Sequence, residues 1–173
     1  MNDTVKGKSV NIVVLTVSDT RTKENDKSGD TLVERIKKSG HRIVEKRIVK
    51  DELSLLKDTL KGWIDSSEVD VVIATGGTGV TGRDVTPEAF ESLYEKHIPG
   101  FGELFRWLSY QNIKTSTIQS RATAGVAKGT FLFALPGSTG ACKDAWDMII
   151  VHQLDSTHKP CNLVELMPRL MEK

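Results

Sequence analysis

The sequence predicts a three-layer α/β/α sandwich with a mostly parallel sheet. Short apolar runs, rich in β-branched residues, alternate along the chain with segments whose apolar residues recur at helical spacing. Three of these runs end in polar or glycine-bearing turns, which is where sheets of this kind bind ligands. The chain has 173 residues, 38% of them apolar, so it is long enough to bury a core, and we expect one domain over residues 1–173.

Three strands are predicted in the first half of the chain. Residues 1–8 are polar and are expected to form a loose arm. The strands follow at residues 9–17, 41–49 and 69–75, which are rich in valine and isoleucine. The polar segment 18–30 is a long loop, and long loops inside compact domains are often functional.

Capping residues predict the first three helices. Asp30 is the expected N-cap of a helix over residues 31–39, which ends before Gly40. Asp51 stands at the N-cap position of the second helix. Thr86 as N-cap, followed directly by proline and glutamate, predicts a third helix start. The second helix has apolar residues at Leu53, Leu56, Leu60 and Ile64.

The second half of the chain continues the alternation of strands and helices. One strand is predicted at residues 130–135, where the sequence reads TFLFAL. Helices are predicted at residues 101–110, 117–126 and 141–154. The tail, residues 155–173, contains two prolines and is expected to wrap the domain with one short helix.

Composition excludes several classes of partner. The net charge is +1, from 24 basic and 23 acidic residues that are scattered along the chain, so we expect no nucleic-acid binding. The polar N-terminus lacks the apolar stretch of a secretory signal, and the apolar runs are too short to cross a bilayer. The two cysteines, Cys142 and Cys161, form no C-x-x-C pair. A cytoplasmic protein with reduced thiols and no membrane partner is therefore expected.

The stretch ATGGTGVTGRDVTPEAF, residues 74–90, raises the question of a phosphate ligand. Gly77, Gly79 and Gly82 fit G-x-G-x-x-G, but a dinucleotide fold needs an acidic residue at a strand end about 20 residues further on. That position falls near Glu103, in a predicted helix. The P-loop pattern fails as well, because Arg83 and the aspartate after it replace its lysine and serine or threonine.

A less specific interpretation is an anion cradle. Closely spaced glycines let backbone N–H groups approach an anion, and the helix start that follows adds partial positive charge. The alternative is a tight turn without a ligand, which is nearly as plausible for the shorter second turn, residues 136–140. We expect these segments and the polar end of the first strand to share one crevice if their strands are neighbours. The candidate binding residues are Ser18, Asp19, Thr75, Gly76, Gly77, Thr78, Gly79, Pro136, Gly137, Ser138 and Thr139.

Two aspartates have two interpretations each. Asp84 lies two residues before Thr86, so it could cap the third helix or hold Mg²⁺ beside bound phosphates. Asp51 could serve only as the N-cap of the second helix, or it could have a functional role. Spacing alone leaves both alternatives open.

A combination of motifs, taken in order, resembles the MoaB/MogA family of molybdopterin biosynthesis proteins over roughly residues 9–165. The motifs are SDT (18–20), SGD (28–30), TGGTG (75–79), RDVTPEA (83–89) and PGST (136–139). Three further segments resemble the MoaB branch in particular: GELFRWLS (102–109), TSTIQSRA (115–122) and KPCN (159–162).

The resemblance implies a MogA-like molybdopterin-binding fold that assembles as a homotrimer or homohexamer. It implies that molybdopterin is adenylylated with ATP and Mg²⁺, that pyrophosphate leaves, and that Asp51 and Asp84 are the catalytic and metal-binding residues. Two alternatives stay open. One is a non-catalytic molybdopterin-binding or assembly protein of the same pathway, and the other is a relative that acts as a nucleotide pyrophosphatase.

Overall fold

A computed structural model describes residues 7–173; the expected arm, residues 1–8, lies outside this range except for its last two residues. The described residues form six strands: β1 (Asn11–Val17), β2 (Arg42–Val49), β3 (Val71–Thr75), β4 (Lys96–His97), β5 (Thr123–Ala127) and β6 (Thr130–Leu135). The helices are α1 (Lys27–Lys38), α2 (Leu53–Ile64), α3 (Thr86–Glu91), α4 (Pro99–Ile113), α5 (Thr139–Ala145) and α6 (Val151–Gln153). Two 3-10 helices cover Lys114–Gln119 and Val164–Arg169, and a π-helical segment, Trp146–Ile150, joins α5 to α6.

The six strands form one sheet in the order β2-β1-β3-β6-β5-β4. The first four run parallel, and β5 and β4 add an antiparallel edge, so the prediction of a mostly parallel sheet is confirmed. Thr75 at the end of β3 is in register with Thr16 of β1 and with Leu135 of β6. The carboxyl ends of these three neighbouring strands therefore lie side by side.

Strand β1 shows why the sheet is covered on both faces. Successive side chains of a strand point to opposite faces. Ile12 and Val14 pack with α1, α4 and α5, whereas Val13 and Leu15 pack with α2 and α3. The predicted three-layer arrangement is confirmed. Within residues 7–173, no helix combines the length and the apolar character that a membrane span requires.

Asp30 was expected to cap α1, and this prediction is wrong. The N-cap is Asp26, whose carboxylate accepts a hydrogen bond from the N–H of Gly29 at 3.1 Å. The same buried carboxylate accepts the Thr16 hydroxyl at 2.8 Å and pairs with Lys46 Nζ at 2.8 Å. These contacts with β1 and β2 decide where the helix begins, and local sequence does not contain them.

The helix predicted at residues 117–126 is also wrong. The segment holds the end of a 3-10 helix and then β5, which pairs antiparallel with β6. Between these strands Lys128 and Gly129 both adopt positive φ, of 46° and 83°, as the two central residues of a tight hairpin turn do. The two-residue strand β4 was not predicted, because two residues carry no periodicity.

Candidate functional site

The loops that follow β1, β3 and β6 lie at the carboxyl edge of the sheet, but only the loops after β3 and β6 line the crevice described below. The hydroxyl of Thr75 donates to the carbonyl of Pro136 at 2.9 Å, and the N–H of Gly76 donates to Leu135 O at 3.0 Å. The buried hydroxyl of Thr86 donates to the Gly76 carbonyl at 2.8 Å. The hydrogen bonds of Thr75, Gly76 and Thr86 thus connect the first glycine loop, residues 76–85, to β6 and α3.

A crevice of about 640 Å³ opens beside these loops, within the range of small-molecule sites. Its walls come from the first glycine loop, the turn after β6, α4 and the 3-10 helix that follows α4. From the predicted set the lining contains Gly77, Thr78, Gly79, Asp84, Pro136, Gly137 and Ser138. Ser18, Asp19, Asp51, Thr75, Gly76 and Thr139 are outside that lining.

Two pairs of residues in the crevice lining have backbone N–H groups without an acceptor among the described residues. Among the hydrogen bonds of residues 7–173, none is donated by the N–H of Gly77, Thr78, Gly137 or Ser138. The Ser138 side chain caps the helix that follows by accepting from the N–H of Ala141 at 3.1 Å. Uncommitted N–H donors on two glycine-bearing turns form a setting for an anion.

Asp84 turns back into its own loop and does not cap α3. Its carboxylate accepts the N–H of Thr81 at 2.9 Å and the Thr81 hydroxyl at 2.6 Å, and it faces the N–H of Gly79. Burial alone would raise the pKa of Asp84, but these hydrogen bonds and the charge of Arg121 outweigh it, so the pKa is lowered. Asp84 is therefore a firmly ionised carboxylate on the crevice wall.

Asp51 is not the N-cap of α2 that was expected. That position belongs to Glu52, without a side-chain capping bond, so Asp51 has no capping role. A methyl group added at Gly77 would come within 2.5 Å of Asp51 Oδ1, which places this carboxylate directly against the first glycine loop. Burial and the negative charges of Asp19 and Asp84 raise the pKa of Asp51, against a smaller opposing effect of Arg83.

Asp19 links the loop after β1 to the first glycine loop. Its carboxylate accepts two hydrogen bonds from Arg83 Nη2, at 2.8 and 2.9 Å, and one from the N–H of Asp51 at 3.2 Å. The Arg83 guanidinium lowers the pKa of Asp19. Ser18 accepts the N–H groups of Thr20 and Arg21, so its hydroxyl shapes its own loop.

Sequence reasoning missed several residues at this site. The side chain of Arg121 donates to the carbonyls of Gly79 and Asp84, at 2.7 and 2.8 Å, and pairs with Glu88. Residues from α4 and from the helix after β6 complete the crevice, among them Phe105, Asn112 and Asp144. Arg121 and Phe105 fall within the segments TSTIQSRA (115–122) and GELFRWLS (102–109), but nothing in the sequence shows that these segments contact the glycine loop. Within the described part of the chain, residues 7–173, no group of three or more His, Cys, Asp or Glu side chains is arranged to hold a metal ion.

Comparison with known proteins agrees with this arrangement. The sequence model of a family described as a probable molybdopterin binding domain matches residues 13–156. The chain is 49% identical over 151 residues to molybdenum cofactor biosynthesis protein B of Escherichia coli (strain K12), covering 87% of this chain and 89% of that protein.

Solved structures are similar to this chain as well. A crystal structure of molybdenum cofactor biosynthesis protein B superposes with a TM-score of 0.86 and 39% identity, covering 96% of this chain and 99% of that one. The tungsten cofactor synthesizing protein MoaB from Pyrococcus furiosus has a TM-score of 0.75 and 38% identity, covering 82% of this chain and 91% of its own.

Proposed function

This chain belongs to the MoaB/MogA family of molybdenum cofactor biosynthesis proteins, and on that premise we propose that its single domain, residues 1–173, adenylylates molybdopterin with ATP. In this reaction the terminal phosphate of molybdopterin attacks the α-phosphorus of ATP. The bond from that phosphorus to the β-phosphate oxygen breaks, and pyrophosphate leaves. Such chemistry asks a protein mainly to position phosphates and to offset their charge.

One observation carries this proposal: two turns whose backbone N–H groups donate no hydrogen bond within the described residues line the same crevice, and Asp84 is part of its wall. Gly77 and Thr78 provide the donors on one side, and Gly137 and Ser138 provide those on the other. Two turns suit two phosphate-bearing substrates. In the proposed complex the two turns bind the phosphate oxygens, Ser18, Asp19, Thr75 and Gly76 hold the turns in place, and Thr139 begins the helix beside them.

The residues at the site fit a magnesium ion. Asp51 lies against Gly77 and Asp84 against Gly79 of the same loop, and carboxylate oxygens are the ligands that Mg²⁺ prefers. Burial raises the pKa of Asp51, and the negative charges of Asp19 and Asp84 raise it further. Mg²⁺ usually takes one or two protein carboxylates and completes its shell with substrate phosphates and water. We assign Asp51 and Asp84 as its protein ligands. When bound, the ion offsets the charge of the phosphate groups.

The test is release of pyrophosphate from ATP and molybdopterin in the presence of MgCl₂. Asp51→Asn and Asp84→Asn should each lower kcat by at least about 100-fold, as the loss of a main charge-stabilising group does. Asp65→Asn, which removes an exposed carboxylate that pairs with Lys128, is the matched control and should retain wild-type activity. Full activity in both site variants would contradict the residue assignment.

The same assay separates the alternative functions. Molybdopterin binding without any pyrophosphate release by the wild-type protein would indicate a non-catalytic binding or assembly protein. Release of phosphate products from a nucleotide without molybdopterin would indicate a nucleotide pyrophosphatase.

We further propose that the protein is a homotrimer or homohexamer. Apolar side chains on one surface support assembly: Leu104 and Trp107, one turn apart on α4, are 42% and 65% exposed, and Met148 lines the same apolar cavity as Leu104. Light scattering coupled to gel filtration should give a mass of three or six chains for the wild type. A monomeric mass would refute this proposal and leave the enzymatic one intact.

A further inference from the structure

Arg121 spans the whole first glycine loop, residues 76–85. Its N–H donates to Thr78 O at 3.0 Å, its Nε to Gly79 O at 2.7 Å, and its Nη2 to Asp84 O at 2.8 Å. The remaining guanidinium nitrogen, Nη1, pairs with Glu88 on α3. One residue thus joins Thr78 and Gly79 in the first half of the loop to Asp84 near its end and to helix α3.

These contacts fix how the loop presents its other groups. A peptide N–H and the carbonyl of the preceding residue point in opposite directions across the same planar unit. Because the Arg121 N–H holds Thr78 O and the Arg121 guanidinium holds Gly79 O, the N–H groups of Gly79 and Val80 point away from Arg121. On that side the carboxylate of Asp84 accepts from Thr81 and faces the N–H of Gly79.

We propose that Arg121 is the positioning residue of the glycine loop. It holds Thr78 and Gly79 at a fixed separation from Asp84, so that the Gly79 N–H and the Asp84 carboxylate keep their places in the crevice wall. Its importance for activity rests on the proposed function, whereas its effect on the loop does not.

The planar arrangement of donors in the guanidinium is what lets Arg121 bind the Gly79 and Asp84 carbonyls at once. A guanidinium presents several donors in one rigid plane, whereas a lysine ammonium is a compact charge on a flexible stem. Lysine at position 121 would keep the positive charge near Asp84 and Glu88 but could not hold the Gly79 and Asp84 carbonyls together. Arg121→Lys therefore separates the geometry of this residue from its charge.

The chain offers a matched control in Arg35. Its guanidinium makes two hydrogen bonds to Asp147, at 2.8 and 3.1 Å, on a face formed by α1 and the π-helical segment. The Arg35 side chain is 23% exposed and that of Arg121 is 34% exposed, so the two arginines are comparably accessible. Arg35→Lys makes the same chemical change away from the crevice.

The experiment compares the wild type, Arg121→Lys and Arg35→Lys by hydrogen exchange of backbone amides, without substrates. Arg121→Lys should accelerate exchange in the peptide that covers residues 76–85 by about tenfold or more, as expected for lost hydrogen bonds to a charged donor. Exchange in β1, β3 and β6 should not change. Arg35→Lys should leave residues 76–85 as they are in the wild type.

Kinetics of pyrophosphate release give a second readout. With the loop misplaced, kcat should fall by about tenfold to 100-fold, and Arg35→Lys should retain the wild-type kcat. Unchanged exchange in residues 76–85 would overturn the proposal, and so would equal acceleration across the central strands, which would show a general structural role. If the wild-type protein releases no pyrophosphate, the proposed function fails, and hydrogen exchange alone decides the role of Arg121.

Discussion

Replacing Gly77 by alanine tests how tightly the candidate site is built. Gly77 has φ of +65°, in the left-handed region. Its added methyl group would overlap the Thr86 hydroxyl and come within 2.5 Å of Asp51 Oδ1. The substitution therefore strains the backbone, disturbs the bond from Thr86 to the Gly76 carbonyl, and displaces the Asp51 carboxylate.

The size of the effect follows from these contacts. Alanine in the left-handed region costs about 1–2 kcal/mol, and losing the buried Thr86 hydrogen bond costs about 1 kcal/mol. The free energy of unfolding should therefore fall by about 2–3 kcal/mol, which lowers Tm by roughly 5–10 °C for a chain of this size. Because Asp51 is displaced as well, pyrophosphate release should be lost even below the new Tm.

Gly82 provides the control in the same loop. A methyl group added there meets no atom within 4 Å, and its φ is not in the left-handed region. Gly82→Ala should therefore leave the free energy of unfolding within about 1 kcal/mol of the wild-type value or raise it. The measurement is thermal unfolding by calorimetry, followed by the activity assay. A Tm for Gly77→Ala within about 1 °C of that of Gly82→Ala would refute the reasoning.

Two further predictions concern carboxylates and pH. The raised pKa of Asp51 means that its ionised form destabilises the fold, so Asp51→Asn should raise Tm at pH 7, and the gain should disappear as pH falls through that pKa. The lowered pKa of Asp84 predicts the opposite effect, because its ionised form stabilises the fold. Asp84→Asn should therefore lower Tm at pH 7, and the difference in Tm from the wild type should shrink as pH falls below the ordinary pKa of 3.8. If both variants shift Tm in the same direction at pH 7, the charge environment assigned to these two carboxylates is wrong. Asp26→Ala removes the true cap of α1 and a buried partner of Lys46, so it should lower the free energy of unfolding by about 3 kcal/mol. Asp30→Ala removes an exposed carboxylate and its surface ion pair with Lys46, so it should cost less than about 1 kcal/mol in the same denaturant titration. A reversed order of the two costs would restore Asp30 as the cap.

The prediction of the sheet succeeded because its signals are local, whereas the expected shared crevice holds only for the loops after β3 and β6. Apolar runs mark β1, β3 and β6, and parallel strands that lie side by side bring their carboxyl ends to one edge. The prediction of a helix over residues 117–126 failed because this segment contains both the end of a 3-10 helix and the strand TAGVA. Its identity as a strand depends on pairing with β6, which is a tertiary contact.

The sequence by itself determined the α/β class, the two glycine-bearing turns and the candidates Asp51 and Asp84, because spacing, glycine content and motif order are properties of the chain. Only the tertiary structure decided what these residues do. It showed that Asp51 does not cap α2 and that the Asp84 carboxylate accepts a hydrogen bond from Thr81. It also showed that the Arg121 side chain donates to the carbonyl of Gly79, which lies 42 residues earlier in the chain. The Arg121 bond joins segments 42 residues apart, which local sequence does not contain, and whether Asp84 bonds Thr81 or caps α3 depends on the folded conformation of the loop.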